Sequence, residues 1–386
     1  MSERLREVTI GDVVSALPTV EPLATDASNA RQLDLWIATL GFEDRCSAVG
    51  DALAREGARA KHVLICRYET NPTDNEVNAD ALLECARRLD HEPDWLDADQ
   101  PNFAEALRQR LRELHEAASR PLRVAWDISV ASNELVVNIA SVLLDMNCEL
   151  EVMYAEAAIY YPTREEFAAD SERWREDETM GLDRGTLNMR VSSEHPGEHA
   201  SQLPDHLMLI PGYSRDRVRR VISKVGMLSD LPHASINWLI GRPHVDADAW
   251  RRDALITIHD IPPEHDRTEL STFSYGETMI ELERVYARVG LSHNITLCPM
   301  GSKLQALGCA LFGRARPGVR IMFAQPEQYN AQHYTKGVRA LWRIAFGSQV
   351  DIAARLANVG TLERTGYGPP EFAEEDESPV EQNQAT

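Results

Sequence analysis

The chain has 386 residues, of which 43% are hydrophobic and 26% are charged, so it is long enough for two domains that each bury a core. Its formal net charge of −21 opposes general binding to a nucleic-acid backbone, which requires lysine and arginine to displace condensed counterions. The six cysteines lack C-x-x-C spacing and the apolar runs are too short to span a bilayer, which predicts a cytoplasmic protein without disulfides, structural zinc or membrane contact.

The first part of the chain alternates short apolar runs with stretches of helical spacing. We interpret residues 1–30 as an N-terminal extension and residues 31–169 as a first lobe. Leucines and alanines recur every three or four residues at 75–89 and 103–117, which predicts helices. Runs rich in β-branched and aromatic residues predict strands at 33–40, 62–67, 122–128 and 150–155.

The same alternation returns after a polar, weakly periodic segment at 170–201, which we interpret as a linker or surface excursion. Residues 202–367 then form a predicted second lobe, and the Pro-, Glu- and Gln-rich tail at 368–386 is predicted to be disordered. The predicted strands of this lobe lie at 205–210, 235–240, 255–259, 294–298 and 319–324.

The two lobes match each other in sequence. The Gly-Phe pair at 41–42 corresponds to the Gly-Tyr pair at 212–213, and the strand from Arg123 corresponds to the strand from Asn294, both at an offset of 171 residues. The next strand agrees at an offset of 169. This indicates an internal duplication, although any two βα units share some of this likeness. The predicted fold is α/β, with two Rossmann-like parallel-sheet lobes related by internal duplication.

Ligands of such sheets bind at the carboxyl ends of the strands, where helix N-termini favour anions. The segment Pro-Met-Gly-Ser-Lys at 299–303 lies at such an end. There Gly301 permits a sharp turn, Ser302 can cap the next helix and Lys303 supplies a positive charge. These residues predict a phosphate site. The alternative is that Gly301 and Ser302 only turn the chain and cap a core helix.

The equivalent strand end of the first lobe carries Asp127 and Ser129. Asp127 is a candidate to hold a ribose hydroxyl, a metal or a water, and the alternative is that it caps the following helix. For Ser132 a role as helix cap is favoured.

Charged residues follow the first strand of each lobe. Gly41 is followed by Glu43 and Arg45, and Gly212 is followed by Arg215. These arginines are candidates to clamp a phosphate through two hydrogen bonds. The alternative is a solvated first helical turn, which we favour for Arg217.

Aromatic residues cluster after the last strand of each lobe. Tyr329 and Tyr334 in the second lobe, with Tyr160 and Tyr161 in the first, suit stacking on a nucleobase. The alternative is that these rings pack against the sheet edge. The histidine-rich loops near His244 lack H-E-x-x-H spacing, so neither a metal site nor a cofactor is predicted.

The Gly-Ser-Lys turn at 301–303, the Asp-Ile-Ser turn at 127–129 and the two lobes resemble CRISPR-associated Rossmann fold (CARF) proteins and SAVED domains. That resemblance implies that Gly301, Ser302 and Lys303 contact the phosphates of a cyclic or linear oligonucleotide messenger, with Asp127 and Ser129 in the matching place. The sequence departs from the family pattern, which has two glycines and a threonine where this chain has Met-Gly-Ser. No segment is left for an effector domain, so sensing implies an effector protein partner.

These observations favour a nucleotide-binding protein of a bacterial antiviral defence system that senses a cyclic oligonucleotide or another anionic small molecule. The alternative is an enzyme acting on a nucleotide or phosphorylated metabolite, a hydrolase or glycosyl-transfer enzyme, with Asp127 or Glu43 as acid or base. A scaffold subunit with vestigial sites is a third alternative. The sequence leaves open whether any reaction is catalysed.

Overall fold

A computed structural model describes residues 8–23, 31–169, 174, 183–185, 188–228 and 235–360. The predicted disordered tail at 368–386 lies outside these residues, as does much of the predicted linker. In the described residues the strands are β1 (Glu21–Pro22), β2 (Gln32–Leu40), β3 (Arg59–Arg67), β4 (Asp94–Asp97), β5 (Leu122–Asp127), β6 (Cys148–Tyr160), β7 (Asp183–Arg184), β8 (Asn188–Val191), β9 (Asp205–Ile210), β10 (Ile236–Arg242), β11 (Arg267–Ser271), β12 (Asn294–Pro299), β13 (Arg320–Gln325), β14 (Gln328–Tyr329) and β15 (Thr335–Ser348).

The helices connect these strands and cover the sheets. In the ranges described, each is too short or too polar to cross a membrane. Two further short segments, at 246–248 and 331–333, are 3₁₀ helices. The α-helices are α1 (Ile10–Ala16), α2 (Ala48–Arg55), α3 (Pro72–Glu76), α4 (Ala79–Arg88), α5 (Phe103–Ala118), α6 (Asn133–Leu144), α7 (Arg164–Ala169), α8 (Arg215–Leu228), α9 (Trp250–Ile258), α10 (Tyr275–Val289), α11 (Lys303–Ala315) and α12 (Gln349–Ala357).

The first sheet has seven strands in the order β1-β15-β6-β5-β2-β3-β4. Its five strands from β6 to β4 are parallel, whereas β15 runs antiparallel to β6 and β1 runs antiparallel to β15. The central strand β2 is buried at every position after Gln32, because helices cover both faces of a parallel sheet.

The second sheet has six strands in the order β11-β10-β9-β12-β13-β8. Counted within its own lobe, each sheet has the parallel strand order 3-2-1-4-5, and each places an antiparallel strand beside the fifth. Two mostly parallel sheets of seven and six strands confirm the predicted α/β class with two Rossmann-like lobes. The shared strand order supports the internal duplication indicated by the sequence offset.

Each sheet includes a strand from outside the range that the sequence predicted for its lobe. β15 lies within the range assigned to the second lobe, yet it pairs along its length with β6 of the first sheet. Conversely, β8 comes from the predicted linker and pairs antiparallel with β13 of the second sheet. The two lobes are therefore tied together by the chain's own connections.

One predicted strand is wrong. Residues 255–259 were expected to form a strand because of their β-branched residues, but they belong to α9 and the residue after it. Ala254, Leu255 and Ile258 are the buried residues of α9, and their spacing places them on one helical face. The third strand of this lobe is β11, in which only Leu270 is buried. Because β11 has no apolar run, the sequence did not predict it.

The helix predicted over 75–89 is interrupted. α3 and α4 are separated by Val77 and Asn78, and the Val77 side chain is 80% exposed. The helix predicted over 103–117 is confirmed by α5.

The two lobes meet through equivalent helices. α6 and α11 each follow the fourth strand of their own sheet, and they pack against each other. Both are buried almost throughout, and their side chains join one hydrophobic core that also includes residues of both sheets. This packing brings the carboxyl ends of both sheets to the same cleft.

Candidate functional site

Loops at the carboxyl ends of both sheets line two adjoining cavities in the cleft. The large cavity measures about 220 Å³ and the small cavity about 110 Å³. Five residues line both cavities and form the partition between them, namely Arg217, Met300, Gly301, Lys303 and Tyr334.

The two cavities differ in charge. Among the described residues, five lysine and arginine side chains and three carboxylates line the large cavity, whereas two such cations and three carboxylates line the small one. The large cavity is therefore the better environment for an anion. The charged groups of its wall are Arg45, Arg217, Arg251, Lys303, Arg339, Glu156, Asp183 and Asp248.

The turn after β12 has the two properties that its sequence predicted. A Cβ on Gly301 would lie 2.1 Å from Oε1 of Gln305 and 2.6 Å from Cγ2 of Ile210, so close packing requires glycine here. Ser302 caps α11, because its Oγ accepts from the Gln305 amide at 3.2 Å while the Ser302 amide donates to Gln305 Oε1 at 2.8 Å. The structural role of Gly301 and Ser302 is thus confirmed, and both residues also lie on the cavity wall.

Lys303 is the first residue of α11, and its half-buried side chain lines both cavities. Burial lowers the pKa of this amine to about 8, with the positive charges of Arg45 and Arg217 acting in the same direction and Glu43 opposing them. Within the described residues, no carboxylate oxygen lies within the 4.0 Å of its nitrogen that would make an ion pair. Its ammonium form is therefore available to an anionic ligand.

Glu43 and Arg45, predicted at the end of the first strand, form a buried ion pair. Arg45 Nη2 and Nε lie 2.8 and 3.1 Å from Glu43 Oε2, which also accepts from the hydroxyl of Thr335. Burial opposes the charge of Arg45, but the Glu43 carboxylate outweighs it and raises the arginine pKa above its ordinary value. Glu43 and Gly41 line the small cavity and Arg45 lines the large one.

The two arginines that follow β9 are both paired with carboxylates, and the side chain of each is only 13% exposed. Arg215, expected to clamp a phosphate, pairs with Asp260 at 2.5 Å. Arg217, for which a solvated turn was favoured, instead lines both cavities and pairs with Asp183 at 2.7 Å. The preceding Gly212 lies on the wall of the large cavity, where a Cβ would approach the Met300 carbonyl oxygen to 2.7 Å.

Asp127 and Ser129 are buried and bond to each other instead of lining either cavity. Asp127 Oδ1 accepts from both the amide and the hydroxyl of Ser129, and the Ser129 hydroxyl accepts from the Ala155 amide at 2.7 Å. Burial raises the pKa of Asp127 to about 6 despite these hydrogen bonds. Ser132 caps α6 as predicted, since its Oγ accepts from the Leu135 amide at 3.1 Å.

Tyr329 and Tyr334 form an aromatic cluster with Phe42. The three ring centroids are 5.4 to 5.8 Å apart, and the Phe42–Tyr334 pair is edge-to-face. Burial raises the pKa of Tyr329 to about 12 and also raises that of Tyr334, so both phenols remain neutral donors. The rings pack against one another and line the small cavity, while stacking on a nucleobase stays a prediction.

His244 and Phe273 form an aromatic part of the wall of the large cavity. Their rings stack at a centroid distance of 3.9 Å, and Trp342, which is outside the cavity lining, packs edge-on against Phe273 at 4.8 Å. Beside them, Glu156 is buried and accepts hydrogen bonds from Trp342 Nε1 at 2.9 Å and from Arg339 at 3.1 Å. This wall offers a flat apolar surface next to charged groups.

Several wall residues were not among the sequence candidates. Asp183 lies in a segment interpreted as a linker. Arg251 lies on α9, which was partly predicted as a strand, and Phe273 lies in the loop after β11, which was not predicted. Arg339 is on β15, whose half-exposed residues do not form an apolar run. These residues could have been found only from the correct strand order, because that order brings their segments to the same edge of the sheets.

The geometry suits binding more directly than it suits metal chemistry. In the part of the chain that the structure describes, no three His, Cys, Asp or Glu side chains are grouped to hold a metal ion. His259 is hydrogen-bonded to the Gly212 carbonyl at 2.7 Å, and burial lowers its pKa to about 4.

Comparison with known proteins yields no family. No protein-family model matches the chain, and a search of curated proteins also finds no match. Among solved structures, the cytoplasmic domain of a prokaryotic cation chloride cotransporter aligns over 78% of this chain and 96% of its own, at 10% identity and a TM-score of 0.23. A TM-score this low supports no inference about this chain.

Proposed function

We propose that this protein binds a nucleotide or a similar phosphate-bearing small molecule in the cleft between its lobes, with the phosphate next to Lys303 in the large cavity. The observation that carries the proposal is the amine of Lys303 at the first turn of α11, which pairs with no carboxylate of the described residues and lies on the wall of both cavities. The positive end of the α11 dipole adds to the attraction for an anion.

The surroundings of Lys303 agree with this assignment. The site lies at the carboxyl ends of parallel strands, where α/β proteins bind ligands. The stacked pair of His244 and Phe273 supplies a flat surface for a base in the same cavity. Phosphate and base would therefore each meet matching chemistry.

The resemblance to CARF and SAVED proteins extends the proposal to a sensor of an oligonucleotide messenger in bacterial antiviral defence, acting through an effector protein. The two facing lobes support this extension. Asp127 and Ser129 of the first lobe do not fit the CARF pattern, because they are buried and line neither cavity. The second lobe would then supply most of the phosphate contacts.

The direct test is calorimetric titration of inorganic pyrophosphate and of nucleoside phosphates into wild-type protein and Lys303→Met. Loss of one charge-assisted hydrogen bond is worth about 1.5–3 kcal/mol, so we expect the affinity to fall roughly tenfold or more. Lys224→Met is the matched control, because Lys224 is an exposed lysine on α8 and should keep wild-type affinity. Equal affinities for wild type and Lys303→Met would reject the site.

The enzymatic alternative is less well supported. Its two candidate carboxyls are engaged internally, Asp127 with Ser129 and Glu43 with Arg45 and Thr335. Bound nucleotide should therefore be recovered intact after prolonged incubation. Product release that disappears in Glu43→Gln would instead favour the enzyme.

A further inference from the structure

Asp183 is a second unusual group in the large cavity. It lies on β7, which pairs antiparallel with β14 next to the cleft, and its side chain is on the cavity wall although the residue is only 2% exposed. Its charge is balanced by Arg217, whose Nη2 lies 2.7 Å from Oδ2.

That ion pair engages Oδ2 and leaves Oδ1 without a donor. Oδ1 accepts no hydrogen bond from any residue that the structure describes. A carboxylate has about four acceptor positions, and burying them without donors costs free energy. A ligand that brings a donor into this cavity would restore the lost hydrogen bonds.

We propose that Asp183 accepts a hydrogen bond from a sugar hydroxyl of the ligand, so that the site selects ribonucleotides over deoxyribonucleotides. This inference rests on the proposed function and adds the class of nucleotide. Arg217 is close to both Asp183 and Lys303, since it pairs with Asp183 and its charge acts on Lys303. In a nucleotide the unit next to the phosphate is the sugar, which places the 2′ and 3′ hydroxyls on the side of Asp183.

A hydroxyl fits this position better than a second anion or an apolar group. A phosphate oxygen would be repelled by the carboxylate, and an apolar group would bring no donor to Oδ1. A site whose buried polar group requires a hydroxyl rejects the analogue that lacks it, because the group is then left unpaired.

The experiment is a calorimetric comparison of AMP with 2′-deoxy-AMP and 3′-deoxy-AMP, repeated with the guanine, cytosine and uracil series. For wild-type protein we expect the best-bound ribonucleotide to bind roughly tenfold or more tightly than at least one of its deoxy counterparts. In Asp183→Asn that ratio should fall towards one, while affinity for inorganic pyrophosphate stays equal or rises because a negative charge is removed. Asp253→Asn, at a side chain that is 67% exposed, is the matched control and should keep the wild-type ratio.

The outcomes separate this inference from the proposed function. Equal binding of ribo- and deoxyribonucleotides by wild type would overturn the role of Asp183, and this measurement decides the question even if Asp183→Asn does not fold. Binding of pyrophosphate without any nucleoside monophosphate would also overturn it, while leaving the anion site at Lys303 intact. If neither pyrophosphate nor any nucleotide binds, both proposals fail.

Discussion

The turns that follow the fourth strand of each sheet occupy equivalent positions, yet they use their polar groups differently. In the first lobe the turn from Asp127 to Ser132 is closed, because its carboxylate and hydroxyl bond to each other and to backbone amides. In the second lobe the shorter turn from Pro299 to Lys303 leaves a lysine amine on the cavity wall. The two lobes therefore share a fold but differ at this turn, which is closed in the first lobe and exposes a lysine to the cavities in the second.

The first residues of α6 and α11 show the same contrast. Ser132 and Ser302 are both helix caps, and they are followed by Asn133 and Lys303. The side-chain Nδ2 of Asn133 donates to the carbonyls of Pro299 at 3.1 Å and Gly301 at 2.9 Å. The first lobe therefore holds the turn of the second lobe in place. One helix end supports the site and the other provides its charge.

The largest expected effect of a substitution in these turns is that of Gly301→Val. A side chain here meets Gln305 and Ile210 and disturbs the cap of α11, so we expect the free energy of unfolding to fall by about 2–4 kcal/mol. Urea denaturation measures it, with Gly318→Val as control because a Cβ there meets no atom within 4 Å. A loss of pyrophosphate binding with unchanged stability would show that Gly301 serves the ligand alone.

Ser129→Ala should break the closed turn of the first lobe. It removes the hydroxyl that donates to Asp127 and accepts from Ala155, and we expect a loss of about 1–3 kcal/mol in the free energy of unfolding. Pyrophosphate affinity, measured by calorimetry on the folded variant, should stay within about twofold of wild type. If Ser129→Ala lost much of its pyrophosphate affinity while keeping wild-type stability, Ser129 would be a ligand contact. The two turns would then both serve the ligand.

Asp127→Asn sharpens the comparison through pH. Because burial raises the Asp127 pKa to about 6 from 3.8, the folded protein binds more protons than the unfolded chain between these values. The contribution of Asp127 to stability therefore decreases as pH rises through that window, and Asp127→Asn lacks this decrease. We expect the variant to gain about 2 kcal/mol relative to wild type between pH 4 and pH 7 in urea titrations. Parallel pH profiles would mean that Asp127 is solvated or otherwise stabilised as an anion.

The parts of the fold with strong apolar patterns could be predicted from the sequence. β2, β5, β9 and β12 are buried central strands, and their hydrophobic runs located them closely. The edge strands β4 and β11 carry few buried residues, and the antiparallel β15 is half-exposed, so their positions depend on pairing partners and not on their own composition. Pattern analysis detects burial, and burial is weakest at sheet edges.

The same limit applies to the candidate site. Lys303 was found because a glycine, a cap and a charge followed a predicted strand. Arg217 and Arg215 lie two residues apart on one helix, and only the direction of each side chain decides that Arg217 faces the cleft while Arg215 faces Asp260. Asp183 had no local signal, because its role depends on a short strand that pairs with residues 328–329.

Proton uptake on ligand binding tests the central assignment most directly. Lys303, with a pKa of about 8, is only partly charged at pH 8 in the free protein, and a bound anion favours its charged form. Titration of pyrophosphate at pH 8 in two buffers of different ionisation enthalpy should show more proton uptake by wild type than by Lys303→Met, by up to roughly half a proton. Equal proton uptake by the two proteins, or no binding to wild type, would contradict the placement of an anion at Lys303.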